Sequence, residues 1–148
     1  MAYTNAISSY KETRVRTATQ GQLIVMLYEE AVKSLDRGLE LLSLNVDGKQ
    51  IPANIEKISN SMLKAQEIIT ELIVSLDFEQ GGDIAKNLFA IYSWFNKELL
   101  EANIAFDVNR ITLVRNQLSE LKSAWVEIAA TNSSDTAGKT VTGVNIAG

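Results

Sequence analysis

Residues 85–106, AKNLFAIYSWFNKELLEANIAF, place Ala85, Leu88, Tyr92, Phe95, Leu99, Ala102 and Phe106 at alternating steps of three and four. That period belongs to one face of an α-helix and is incompatible with the two-residue alternation of a strand. The same rhythm runs through Ile55, Ile58, Met62, Ala65, Ile69, Leu72 and Leu76 before it, and through Ile111, Val114, Leu118, Leu121, Trp125 and Ile128 after it. An earlier segment has a wider apolar face. Ile24, Tyr28, Ala31, Leu35 and Leu42 form its seam, with Val25, Leu27, Val32, Leu39 and Leu41 on the flanks. It is expected to be the most buried of the four.

Punctuation sets the boundaries. Thr19-Gln20-Gly21-Gln22 matches a capping box, so the first helix begins near Thr19 and runs to about Leu44, closing on Asn45-Val46-Asp47-Gly48. Pro52 stands where a second helix would begin, a position that tolerates its missing N–H, and this helix continues to about Leu76. Gly81-Gly82 interrupts the chain, Asp83 suits the N-cap of a third helix to about Ala105, and Asp107 that of a fourth to about Ala130. Four helices of roughly 25 residues and about 37 Å, joined by short loops, predict an all-α, antiparallel up-down four-helix bundle over residues 19–131. Residues 1–18, with Tyr3, Ile7, Tyr10 and Val15 spaced by three to five, predict a short helical arm that must dock to be ordered. Residues 132–148, NSSDTAGKTVTGVNIAG, have no apolar period and predict a disordered tail.

Composition narrows the chemistry. The 148 residues include no Cys and no His. That excludes a disulfide framework, a thiolate zinc site, a thiol nucleophile and the Glu-x-x-His pairs of di-iron bundles. It also removes the commonest general base, and neither a metal nor another cofactor is expected. The formal charge is −4, with the basic residues Lys11, Arg14 and Arg16 gathered in the arm and an acidic body behind them. An acidic body argues against nucleic acid as a partner. The longest apolar run, residues 23–28, is far short of a membrane span, and residues 1–16 lack the apolar core of a secretory signal. A cytoplasmic protein without membrane insertion is expected.

Acid/base chemistry would fall to the carboxylate pairs Glu67/Glu71 and Glu98/Glu101, which lie largely off the seams and read as solvated faces. An all-helical enzyme of the chorismate-mutase type would need cations pointing into the bundle, and here the bases fall on outer positions. Gly81-Gly82 is a helix–helix turn, since it lacks the strand and the Lys-Ser/Thr pair of a phosphate loop. More telling are large apolar residues that miss the seams: Leu63, Val74, Trp94, Leu100, Ile104 and Leu113. Single exposed apolars are ordinary, but six of them outline an outer groove suited to an amphipathic partner segment.

Several stretches, taken in order, resemble the signature of the flagellin-specific export chaperone family, FliS. They are Val15-x-Thr17-Ala18, residues 23–31 (LIVMLYEEA), residues 64–72 (KAQEIITEL) and residues 75–78 (SLDF) with Gly81-Gly82. Ala85-x-x-Leu88 with Ile91-Tyr92, Leu99-x-x-Ala102-Asn103 and Leu118-x-x-Leu121-x-x-Ala124-Trp125 complete the set, which spans about residues 3–130. Gln20 stands where that family usually has Pro. The resemblance implies a non-enzymatic chaperone that binds the C-terminal segment of flagellin, prevents its premature polymerisation and helps deliver it to a component of the flagellar export gate. It also implies that Ile7 and Tyr10 belong to the contact surface and that the arm moves when flagellin binds. The competing expectation is a structural or regulatory bundle that homodimerises through the same outer apolar surface.

Overall fold

The structure, a computed structural model, describes residues 19–135. Four helices follow one another: α1 (Gln20–Leu42), α2 (Pro52–Val74), α3 (Phe78–Ala105) and α4 (Val108–Asp135). Helices this long joined by a few residues cannot return to their starting end, so consecutive helices run antiparallel. Cross-helix pairs show the direction. Ser59 and Gln66 of α2 meet Asn103 and Asn96 of α3, in reverse order along the chain. Helix α1 packs on α2 and α4, and α3 on the same two, so α1 and α3 face each other across the diagonal.

Local chemistry places most ends where the sequence suggests. Thr19 Oγ1 accepts from the Gln22 N–H while Gln22 Oε1 accepts from the Thr19 N–H, closing the capping box. Pro52 occupies the first turn of α2. Asp47 and Gly48 both take positive φ, which lets Val46 and Lys49 exchange main-chain hydrogen bonds and turn the chain toward α2. Asp107 Oδ1 accepts from the Arg110 N–H and caps α4, just after Phe106 ends α3 in the left-handed region.

Two boundaries differ from expectation. Helical backbone of α3 begins one turn early, at Phe78, because Asp77 caps it by accepting from the N–H groups of Glu79 and Gln80. The Gly81-Gly82 break survives as a kink, with Gly82 at φ 51° and ψ −125° before the long run of α3 resumes. Helix α4 continues to Asp135, past the end near Ala130, so residues 132–135 extend the helix. The arm at residues 1–18 and the tail residues 136–148 lie outside the described residues.

The seams are the core. Seam residues Ile24, Tyr28, Ala31, Leu35, Leu42, Ile58, Met62, Ala65, Ile69, Leu72, Tyr92, Phe95, Leu99, Ala102, Ile111, Val114 and Leu118 are all essentially buried. Helix α1 buries nine of its 23 residues against seven of 23 for α2, as its wide apolar face requires. Gly38 belongs to that burial: a Cβ there would meet the flexible end of the Met62 side chain, which would have to move aside. Phe106, Leu121 and Ile128 are only partly buried against the core, and one seam residue is exposed. Ile55 is 40% exposed, because the register that pairs Ser59 with Asn103 sets it beyond Ala105, past the end of α3.

One polar contact crosses this apolar interior. The hydroxyls of Tyr28 and Tyr92 hydrogen-bond directly across the diagonal. Each hydroxyl can both donate and accept, so either tyrosine can supply the proton. Burial pushes both hydroxyls above the ordinary 10.0.

Truncating Trp125, 5% exposed, to Ala is expected to lower stability by about 3–5 kcal/mol, read from a thermal or denaturant melt. The tyrosine pair supplies a pH test. Both folded-state values are raised, so the unfolded chain loses these protons first as pH rises. Their contribution is complete below pH 10.0 and declines above it. The melting temperature should therefore fall with pH above that point, and the Tyr28→Phe/Tyr92→Phe double variant should fall less steeply.

Candidate functional site

A second stripe runs beside the core seam on two helices, one position later in the chain. On α2 it is Ser59, Leu63, Gln66 and Thr70, and on α3 it is Phe89, Ser93, Asn96, Leu100 and Asn103. A shift of one residue turns a side chain by about 100°, which carries it from the bundle axis toward the outer surface. The two stripes face each other across the α2–α3 boundary, as their hydrogen bonds record. Ser59 Oγ donates to Asn103 Oδ1 at 3.2 Å. Gln66 Nε2 donates to the Asn96 carbonyl at 3.2 Å, Asn96 Nδ2 to Thr70 Oγ1 at 3.3 Å, and Thr70 Oγ1 to the Gln66 carbonyl at 2.9 Å. The result is a helix–helix boundary lined with amides and hydroxyls. Leu63, Leu100 and Phe89 stand around it, each close to half exposed.

The six apolar positions singled out in the sequence are all exposed, but they do not share one groove. Leu63 and Leu100 border the α2–α3 boundary. Val74 and Ile104, 79% and 77% exposed, project outward from the same two helices beyond it. Trp94 and Leu113 lie on the other flank of α3: each precedes a seam residue, Phe95 and Val114, and so faces the α3–α4 boundary. Trp94 leans on Phe95 with ring centroids 5.7 Å apart, which leaves 37% of it exposed. Helix α3 is thus a ridge between two outer surfaces. Ile7 and Tyr10 lie outside the described residues.

The carboxylate pairs separate. Glu67 and Glu71 are solvated, as expected. Glu98 and Glu101 are not simply a solvated face. Arg110 Nε stands 3.5 Å from Glu98 and 3.6 Å from Asp107, while its Nη1 bonds Glu101. Helix α4 begins within reach of the end of α3, which brings this cation to the pair. Three acids around one arginine tie α3 to α4. A second tie, Arg115 to Asp36 at 2.8 Å, joins α4 to α1 and is exposed enough to contribute about 0–1 kcal/mol. Among the described residues no group of acidic side chains could hold a metal ion, and no helix is long and apolar enough to cross a membrane.

Sequence reading misses two parts of this surface. Large apolars at Phe78, Ile84, Phe89, Val108 and Val126 are exposed as well, Phe78 and Phe89 packing edge to face with centroids 6.0 Å apart. The polar lining also goes unnoticed, since a search for stray hydrophobics passes over Gln66 and Asn96. Their spacing of three and four, in phase with Leu63 and Leu100, is the signal that identifies them.

Comparison with known proteins agrees along nearly the whole described length. A family model described as "Flagellar protein FliS" matches residues 3–132. The chain is 35% identical over 121 residues to the flagellar secretion chaperone FliS of Salmonella typhimurium, covering 80% of this chain and 82% of that protein. It is 34% identical over 118 residues to the protein of the same name from Escherichia coli, covering 78% and 80%. The Bacillus subtilis protein of that name is 25% identical over 138 residues, covering 93% and 96%.

Side chains so exposed contribute little to folding. Replacing Val74 or Ile104 by Ser should change stability by no more than about 0.5 kcal/mol, measured by denaturant melts.

Proposed function

The chain belongs to the FliS family, and from that premise we propose that it is an export chaperone for flagellin, acting as a binding protein and not as an enzyme. Its client is the C-terminal segment of flagellin, which it holds in the cytoplasm, keeps from polymerising and helps deliver to the flagellar export gate. The observation that carries this reading is the outer surface of α2 and α3, where Leu63, Phe89 and Leu100 stay exposed beside the core seams. A segment that is disordered when free can bury its own apolar residues there, in the manner of a chain laid into a groove. The relatives' name, flagellar secretion chaperone, supports the same class of client.

The arm fits this scheme. Ile7 and Tyr10 are proposed to compete with or complete the client's contact surface, so that binding of flagellin displaces or reorganises residues 3–18. A homodimer formed through the outer apolar surface is the rival, and it predicts a mass that rises with concentration and no affinity for flagellin.

Calorimetric titration with the C-terminal flagellin segment tests the reading. Saturable binding is expected, weakened at least about tenfold by Leu100→Glu, since a desolvated carboxylate would replace an apolar contact. Tyr10→Ala should alter the affinity while leaving the melt of the bundle unchanged. Absence of binding by the wild-type protein would overturn the proposal.

A further inference from the structure

Phe78 and Phe89 stand eleven residues apart on α3, yet their rings pack edge to face with centroids 6.0 Å apart. In a straight helix eleven residues rise about 16.5 Å, and the two rings could not touch. The contact exists because the first turn of α3 folds back at Gly82. A φ of 51° with a ψ of −125° lies in a region that only glycine enters without strain. A residue in that conformation interrupts the i→i−4 ladder, so helical hydrogen bonding does not carry through from the turn to the long run of α3. The turn is closed on itself. Asp77 Oδ1 accepts from the N–H groups of Glu79 and Gln80, and the Asp77 carbonyl accepts from the Gly81 N–H at 2.7 Å.

We propose that residues 78–81 are a hinged flap, which opens at Gly82 independently of the bundle and is latched shut by Phe78 on Phe89. The ring pair spans the break in the ladder, and both rings are close to half exposed, so opening gives up little buried surface. The core seam of α3 starts at Ala85, three residues past the hinge, and is left in place when the flap swings. On the other side Leu76 stays in the core and confines the motion to one turn. Segments held by few buried contacts open at a fraction of the cost of global unfolding. Closed, the flap lays Phe78 over one edge of Phe89. Open, it frees both rings and enlarges the exposed apolar surface at this end of α3 while the protein stays folded. The device is a property of the free chain and requires no client.

Native-state hydrogen exchange of the full chain at low denaturant tests the flap. The Gly81 amide should exchange through an opening that exposes little surface, so its rate should barely respond to denaturant. The amides of Phe95 and Leu99 should follow global unfolding and respond steeply. Phe78→Ala removes the latch and should speed Gly81 exchange by about three- to tenfold, with the same insensitivity to denaturant. Gly82→Ala isolates the hinge, because a Cβ there meets nothing within 4 Å and acts through the backbone alone. It should abolish the nuclear Overhauser contact between the rings of Phe78 and Phe89. Gly81 exchanging with the denaturant dependence of Phe95 would show that the turn opens only with the whole bundle, and would overturn the proposal. An unchanged Gly81 rate in Phe78→Ala, or a surviving ring contact in Gly82→Ala, would overturn it as well. The wild-type exchange decides the matter even if a variant fails to fold.

Discussion

The hydroxyl of Tyr28 meets that of Tyr92 in the middle of a core that is otherwise almost wholly apolar. Apolar seams with a regular period pack nearly as well after a slide of one heptad, because hydrophobic contact has no direction. A hydrogen bond does. Slipping α1 against α3 would strand two buried hydroxyls, each left with the desolvation penalty of an unmade bond. These two helices are diagonal partners with few contacts of their own, so the tyrosine pair sets a register that the α1–α2 and α3–α4 contacts must then respect. Buried polar pairs of this kind specify one packing among several that burial alone would allow.

The position of α3 decides the outer surface in turn. Its seam is held by Tyr92, Phe95 and Leu99 on the axis, so Asn96 and Leu100 are rotated toward α2, and Trp94 toward α4. The chain keeps separate jobs on residues only one position apart. Phe95 and Leu99 fill the core, whereas Asn96 bridges to α2 and Leu100 stays exposed. The ion cluster around Arg110 and the Arg115–Asp36 pair lie on boundaries of α4, and the α2–α3 groove is left lined by neutral amides, hydroxyls and leucines.

Much of this was legible from the chain. The steps of three and four, the capping box at Thr19, Pro52 at the head of α2 and Asp107 at the head of α4 are local signals, and local hydrogen bonding fulfils them. The exposure of Leu63, Val74, Trp94, Leu100, Ile104 and Leu113 followed from their absence from the seams. Asp77 was passed over as a cap because the glycine pair four residues later is the louder signal. Ile55 was misjudged because periodicity says which face a residue occupies and nothing about where the neighbouring helices stop.

The sequence by itself determined the number of helices, their core faces and most of their ends, because each depends on residues within a few positions of one another. Only the tertiary structure decided that the six outlying apolars divide between two flanks of α3, that Arg110 bridges Glu98 and Glu101, and that Gln66 and Asn96 meet across the α2–α3 boundary. Those outcomes depend on rotation and register between helices about 30 residues apart in the chain. Such relations are set by side-chain packing and by directional bonds across the core, and no local pattern encodes them.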